Sequence, residues 1–144
     1  MNALNFLDAN VWLALLWSRH AHSERAKEWF DQADEEQFFF CRFTQLIVLR
    51  LLTTESIMGE DIRNLSQAWN LWDKVWSDTR IAFLAEPENI ETELRVHTRA
   101  STRSPKVWAD AYLLSFAIVA GLKLVTFDRA IQSPKADILL LSIL

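Results

Sequence analysis

The chain has 144 residues, of which 51% are hydrophobic and 24% charged, and its formal net charge is −4. This length and balance describe one ordinary domain with a real core and exclude a disordered or low-complexity chain. The acidic balance speaks against a general nucleic-acid coat protein, but it leaves room for a nuclease whose acids cluster at one spot. Cys41 is the single cysteine, which excludes an internal disulfide and fits a reducing compartment. The opening Met1-Asn2-Ala3-Leu4 lacks a basic segment followed by an apolar stretch, and no apolar run reaches the roughly 18 to 20 residues that span a bilayer. A cytoplasmic protein with no membrane contact is expected.

Residues 3–8 read as a short buried strand closed by Asp8, residues 10–17 as a helix, and residues 22–33 as a second helix with charged faces. Phe38-Phe39-Phe40-Cys41 reads as the second strand, and Thr44 is placed to cap a helix from 45 to about 53. A long helix is expected over 60–77, with Leu65, Trp69, Trp72 and Trp76 recurring on one face. That stripe suits core or a subunit interface better than a base-stacking platform. Arg80-Ile81-Ala82-Phe83-Leu84 reads as the third strand and 88–100 as a helix. The next helix is punctuated by Ser104 as cap, Pro105 at the first position and Gly121 as a left-handed terminator. Strands over 122–127 and 137–141 complete the chain. Strands alternate with helices throughout, and they are near-continuous apolar runs, as in sheets covered on both faces. The expected fold class is α/β, a three-layer α/β/α sandwich with a mostly parallel central sheet, in a single domain over 1–144.

Three acids stand where strands or helices meet turns. Asp8 closes the first strand, Asp128 follows Leu122-Lys123-Leu124-Val125-Thr126-Phe127, and Asp110 lies about two turns into the helix that begins at Ser104-Pro105. Open α/β sheets bind ligands outside the carboxyl ends of their strands. Three carboxylates converging there repel one another unless a cation holds them, and oxygen-only ligands suit Mg²⁺ or Mn²⁺. Taken singly, Asp8 could cap a helix and Asp128 could be a turn residue. Asp110 borders the apolar stripe Val107, Ala111, Leu114 and Ile118, and a half-buried carboxylate needs a partner.

Other constellations are weaker. His20 and His22 sit at a helix entrance where solvation is the simpler reading, His97 is isolated, and Ser115 lacks a nucleophile elbow. Two glycines cannot build a phosphate-cradling loop, so P-loop and dinucleotide-binding readings fall. A phosphatase of the haloacid dehalogenase type wants an acid where Asn10 stands, and a receiver domain wants paired acids after the first strand. Arg95, Arg99, Arg103 and Lys106 lie in a window without an acid. That window reads equally as a solvated helix end or as a phosphate-contacting rim.

The blocks Phe6-Leu7-Asp8-Ala9-Asn10-Val11-Trp12, Thr44-Gln45-Leu46-Ile47-Val48-Leu49-Arg50, Trp108-Ala109-Asp110-Ala111-Tyr112 and Val125-Thr126-Phe127-Asp128-Arg129 together resemble a PIN domain. More narrowly, the chain is similar to VapC-type toxin ribonucleases of bacterial toxin–antitoxin pairs, with the four blocks in the family's order. The resemblance implies a metal-dependent endoribonuclease in which Asp8, Asp110 and Asp128 hold Mg²⁺ or Mn²⁺ and water is the nucleophile. It implies Asn10, Thr44, Gln45 and Thr126 as supporting positions, RNA (often tRNA) as substrate, a homodimer, and a VapB-like antitoxin. The family places a Glu after the Thr, whereas this chain has Gln45. With Gln45 facing the three acids, loss of that charge would weaken metal binding. The alternative implied is a catalytically weak or silent binding module.

Overall fold

The computed structural model describes residues 3–141. Strands β1 (Leu4–Leu7), β2 (Gln37–Phe40), β3 (Ile81–Phe83), β4 (Lys123–Thr126) and β5 (Asp137–Leu140) form one parallel sheet in the order β3-β2-β1-β4-β5. Between them run α1 (Ala9–Leu16), α2 (Ser23–Gln32), α3 (Arg42–Leu52), α4 (Glu55–Met58), α5 (Leu65–Trp76), α6 (Ile90–His97) and α7 (Lys106–Ala120). Side chains alternate across a strand, so each strand feeds two cores. Leu7, Phe38, Phe40 and Val125 join Trp12 of α1, Val48 and Leu52 of α3 and Trp72 of α5 on one face. Phe6, Phe39 and Leu124 join Leu113, Leu114 and Phe116 of α7 on the other. The expected three-layer sandwich is what forms.

Aromatic rings set the packing on each face. Trp12 lies 6.2 Å from Phe40, edge to face, and 5.9 Å from Trp72, while Phe40 lies 4.8 Å from Trp72. Phe6 stacks on Phe116 at 4.5 Å across the opposite face. Such pairs add about 0.5–1.5 kcal/mol each beyond their buried area. They fix the helices that border the strand ends.

The local punctuation departs from expectation in three places. Residues 60–77 are not one helix: α4 ends at Gly59, whose φ of 56° breaks the chain's direction, and a 3-10 turn spans Gly59–Asp61. Asn64 then starts α5 with a reciprocal cap, its Oδ1 accepting from the Gln67 N–H at 2.8 Å and Gln67 Oε1 accepting from the Asn64 N–H at 3.0 Å. The buried seam of α5 is Ala68 and Trp72, which leaves Leu65, Trp69 and Trp76 exposed. Thr44 is not the cap of α3 but its third residue, because the helix starts at Arg42. Its hydroxyl accepts from the Cys41 N–H at 3.1 Å and donates to the Cys41 carbonyl at 3.0 Å. Ser104 likewise lies one residue too early, since Pro105 takes the cap position of α7. Gly121 ends α7 at φ 69°, as its place in the sequence implied.

Arg80 ties α2 to the start of β3. Its guanidinium donates to the carbonyls of Phe30 (2.8 Å) and Ala33 (3.1 Å), pairs with Asp78 at 2.9 Å, and lies 4.1 Å from the Phe30 ring centroid. Those contacts cover the carboxyl end of α2, where a cation is favoured. Arg80→Ala is expected to cost about 2 kcal/mol, read as a lower urea midpoint with an unchanged slope. The Arg80 hydrogen bond holds the Asp78 carboxyl below its ordinary value. Its contribution to stability is therefore complete above about pH 4 and fades as pH falls through the lower folded value. An Asp78→Asn protein should lose that part of the acid sensitivity.

Candidate active site

Parallel pairing of β1 with β4 brings two of the acids to one edge of the sheet. Asp8 follows β1 and occupies the cap position of α1, where its carbonyl accepts from the N–H groups of Val11 (3.0 Å) and Trp12 (3.2 Å). Its side chain makes no capping hydrogen bond, so Asp8 is more than a simple cap. Instead Asp8 Oδ2 accepts from the Thr126 hydroxyl at 2.9 Å. The same Thr126 oxygen accepts from the Asp128 N–H at 3.0 Å, and Asp128 Oδ1 accepts from the Ala130 N–H at 2.9 Å. One buried hydroxyl thus joins the end of β1 to the turn after β4.

Asp110 enters from α7, half-buried and without a hydrogen-bond partner among the described residues. Burial raises its proton affinity most, the charges of Asp128 and Asp8 raise it further, and Lys106 opposes them. Burial also raises the Asp8 carboxyl, against the favourable pull of Thr126 and the nearby N–H groups of Ala9 and Asn10, and Asp128 adds to the rise. Asp110 therefore senses the charges of both other acids, and Asp8 that of Asp128. Among the described residues, no three acidic, His or Cys side chains form a finished ligand cluster. The site is an electrostatic sink lined by hard oxygens, and that donor chemistry fits a divalent cation of the Mg²⁺ or Mn²⁺ kind.

The remaining sequence candidates divide. Thr126 lies at the centre of the site. Asn10 is exposed at its margin, 3.4 Å from His20 Nε2. Thr44 is committed to Cys41 within α3. Gln45 does not face the acids: it is buried, its Oε1 accepts from Arg42, and it lines a small cavity with Phe40, Trp69, Trp72 and Phe83. Gln45 therefore lies on the side of α3 that meets α5, and it brings no carboxylate to the site.

Two residues gain weight. His20 and His22 are half-buried rather than solvated, and their rings lie 6.2 and 4.7 Å from Phe127, between Thr126 and Asp128. Burial, and after it the neighbouring His22, lowers the His20 proton affinity. Nothing in the local sequence signals the contact, since Phe127 is more than 100 residues away.

Comparison with known proteins identifies the family and the fold. A family profile described as PIN domain matches residues 6–136. The chain is 38% identical over 129 residues to "Ribonuclease VapC41" of Mycobacterium tuberculosis, covering 85% of this chain and 88% of that protein. Among solved structures, VapBC2 of Rickettsia felis bound to a promoter DNA fragment superposes with a TM-score of 0.68 at 12% identity, covering 96% of this chain and 99% of that one. Mycobacterium tuberculosis VapC20, described as a sarcin-ricin loop cleaving toxin, gives 0.65 at 17% identity, covering 88% and 92%. At those identities the superpositions establish the fold.

The raised Asp8 carboxyl has a stability consequence. Between its ordinary value of 3.8 and its raised value, the folded protein keeps a proton that the unfolded chain releases. The metal-free protein should therefore lose stability as pH climbs through that window. Asp8→Asn removes both the desolvated charge and its repulsion. The variant should be unchanged or more stable by on the order of 1 kcal/mol at neutral pH in chelator, with a flatter pH profile in thermal melts. A large loss of stability would mark Asp8 as a structural hydrogen-bond acceptor.

Proposed function

The chain belongs to the PIN domain family, and from that membership and the acidic site we propose that it is a VapC-type endoribonuclease, the toxin of a toxin–antitoxin pair. The observation that carries the reading is the Thr126 hydroxyl, which joins Asp8 to the Asp128 turn with Asp110 within electrostatic reach. The relative named a ribonuclease supports the reaction class. The structural likeness to a VapBC assembly supports a VapB-like antitoxin as partner. A homodimer and a cytoplasmic location belong to the same reading, and no helix among the described residues is long and apolar enough to cross a membrane.

In this reading Asp8, Asp110 and Asp128 hold Mg²⁺ or Mn²⁺. Such an ion, when bound, neutralises charge developing on the scissile phosphate and acidifies water. The protein's own contribution is placement. Thr126 fixes the Asp8 carboxylate and the Asp128 turn relative to each other, which spares the reacting groups from reorganising. Asp110 presents a carboxylate with no protein hydrogen bond to give up. Lys106, near Asp110, supplies a cation at the edge where the phosphate chain enters. In-line attack by water on an RNA phosphodiester expels the 3′-oxygen and leaves a 5′-phosphate. A silent binding module is not favoured, because a relative 38% identical to this chain is named a ribonuclease and Asp8, Asp110 and Asp128 are all present.

Purified protein should cleave RNA with Mg²⁺ or Mn²⁺ and stop in chelator. Asp8→Asn and Asp110→Asn should each lower the rate at least about a hundred-fold, since several kcal/mol of charge stabilisation is at stake. Full activity in either variant would remove that residue from the site. Thr126→Val keeps the shape of the side chain but deletes the hydroxyl. A loss of about 10- to 100-fold in activity or metal affinity is expected, with the metal concentration for half-maximal cleavage as the readout. Wild-type behaviour would reduce the hydroxyl to a turn-former.

A further inference from the structure

The connection from α6 to α7 carries the basic window noted in the sequence, and residues 99–105 are exposed. Trp108, in the first turn of α7, is 63% exposed, the barest tryptophan of the described residues. Among those residues it has no ring partner, nor has the less exposed Trp69, whereas Trp12, Trp17, Trp29, Trp72 and Trp76 all pack on other rings. Its indole forms a wall common to two adjoining cavities. One, of about 460 Å³, is shared with Arg95 and Arg99. The other, of about 220 Å³, is shared with Arg103. Arg95 is bound to Glu91 at 2.9 Å, but Arg99 and Arg103 make no ion pair or hydrogen bond among the described residues. Leaving two guanidinium groups and an indole without protein partners, in a chain of net charge −4, calls for an external one.

From these observations we infer that Trp108, Arg99 and Arg103 form a docking platform for an unpaired nucleotide flanking the scissile phosphate of single-stranded RNA. Every base offers a π-face to an indole, and guanidinium groups bind the phosphates on either side. Position supports the same occupant. Lys106 acts on Asp110 through its charge and begins α7 two residues before Trp108, so a basic side chain stands at the same helix tip as the platform. Trp108 and Asp110 are two residues apart on one helix and project to different sides of it. A helix with its side chains is about 10–12 Å across, so a strand passing over the tip of α7 meets both within a few nucleotides. The acids attract only a cation. The platform is what holds the polyanion against them.

This inference rests on the ribonuclease reading, and its test separates the two. Binding of a fluorescein-labelled single-stranded RNA is measured by anisotropy over a range of salt, in an Asp8→Asn background with Mg²⁺ present. Trp108→Ala should weaken binding on the order of ten-fold, and Trp108→Phe should recover most of it. Replacing Arg99 and Arg103 by Ala should lower the slope of log affinity against log salt by about 0.7 for each phosphate that no longer meets a guanidinium. With Asp8 restored, Trp108→Ala should raise KM for cleavage and leave kcat nearly unchanged. Unchanged RNA affinity and salt slope in these variants would overturn the platform, even where the wild-type protein cleaves RNA. Weaker RNA binding in Trp108→Ala would uphold it, even where the wild-type protein proved unable to cleave. Variants that keep RNA but lose a cognate antitoxin would make the surface a protein contact and overturn the inference.

Discussion

The parallel pairing of β1 with β4 matches Asn5 to Lys123, Phe6 to Leu124 and Leu7 to Val125, and the ladder runs on as the Asp8 N–H donates to the Val125 carbonyl at 3.0 Å. Register in a buried strand is set by which side chains face which core, and a one-residue slip would turn Phe6 and Leu7 to the wrong faces. Here Phe6 must stack on Phe116 while Leu7 joins the opposite core. Those two demands leave Asp8 and Thr126 no freedom along the strand axis. The hydrogen bond between them is a consequence of apolar packing a few ångströms below.

α7 makes a second link of the same kind. Its middle is buried on most sides, with Leu113, Leu114, Phe116 and Ala117 against the sheet, so the helix cannot rotate without opening the core. Asp110 is carried one turn before that anchor, close enough to the core to be half-buried and far enough along to reach the strand ends. At its other end, Gly121 turns the chain directly into Leu122 and β4, and the Leu122 N–H donates back to the Ala117 carbonyl at 2.8 Å. One rigid unit therefore presents Asp110 and, through β4, Thr126 and Asp128. Placing acids on a packed helix and strand holds them more tightly than loops would.

The strands are legible in the sequence as apolar runs of a few residues, and the acids because Asp8 and Asp128 follow the runs of β1 and β4 while Asp110 lies in the helix that Gly121 ends. The layer order follows from alternation alone. Three features are hidden. The true start of α5 is written in the Asn64/Gln67 spacing, but the regular recurrence of Leu65, Trp69, Trp72 and Trp76 beyond it draws the expected helix back to Gly59. The direction of Gln45 is hidden because the expected helix begins at Gln45, whereas α3 begins at Arg42 and buries Gln45 with Thr44, Val48 and Leu52. The packing of His20 and His22 on Phe127 depends on the closed sheet, and no local signal carries it.

Thr126 lies 118 residues beyond Asp8, and this separation governs the order in which the molecule is built. β1 and β2 can meet early in synthesis, once the residues to about Phe40 are free, but β4 can dock beside β1 only after α7 has formed and the chain has passed Thr126. Long-range parallel pairing is the slow part of folding, because loop closure precedes the contacts that reward it. A ribosome-bound chain consequently carries Asp8 on a half-sheet with an open edge and no companion acid. The constellation of acids is among the last things assembled, because it closes only once the chain has passed Asp128.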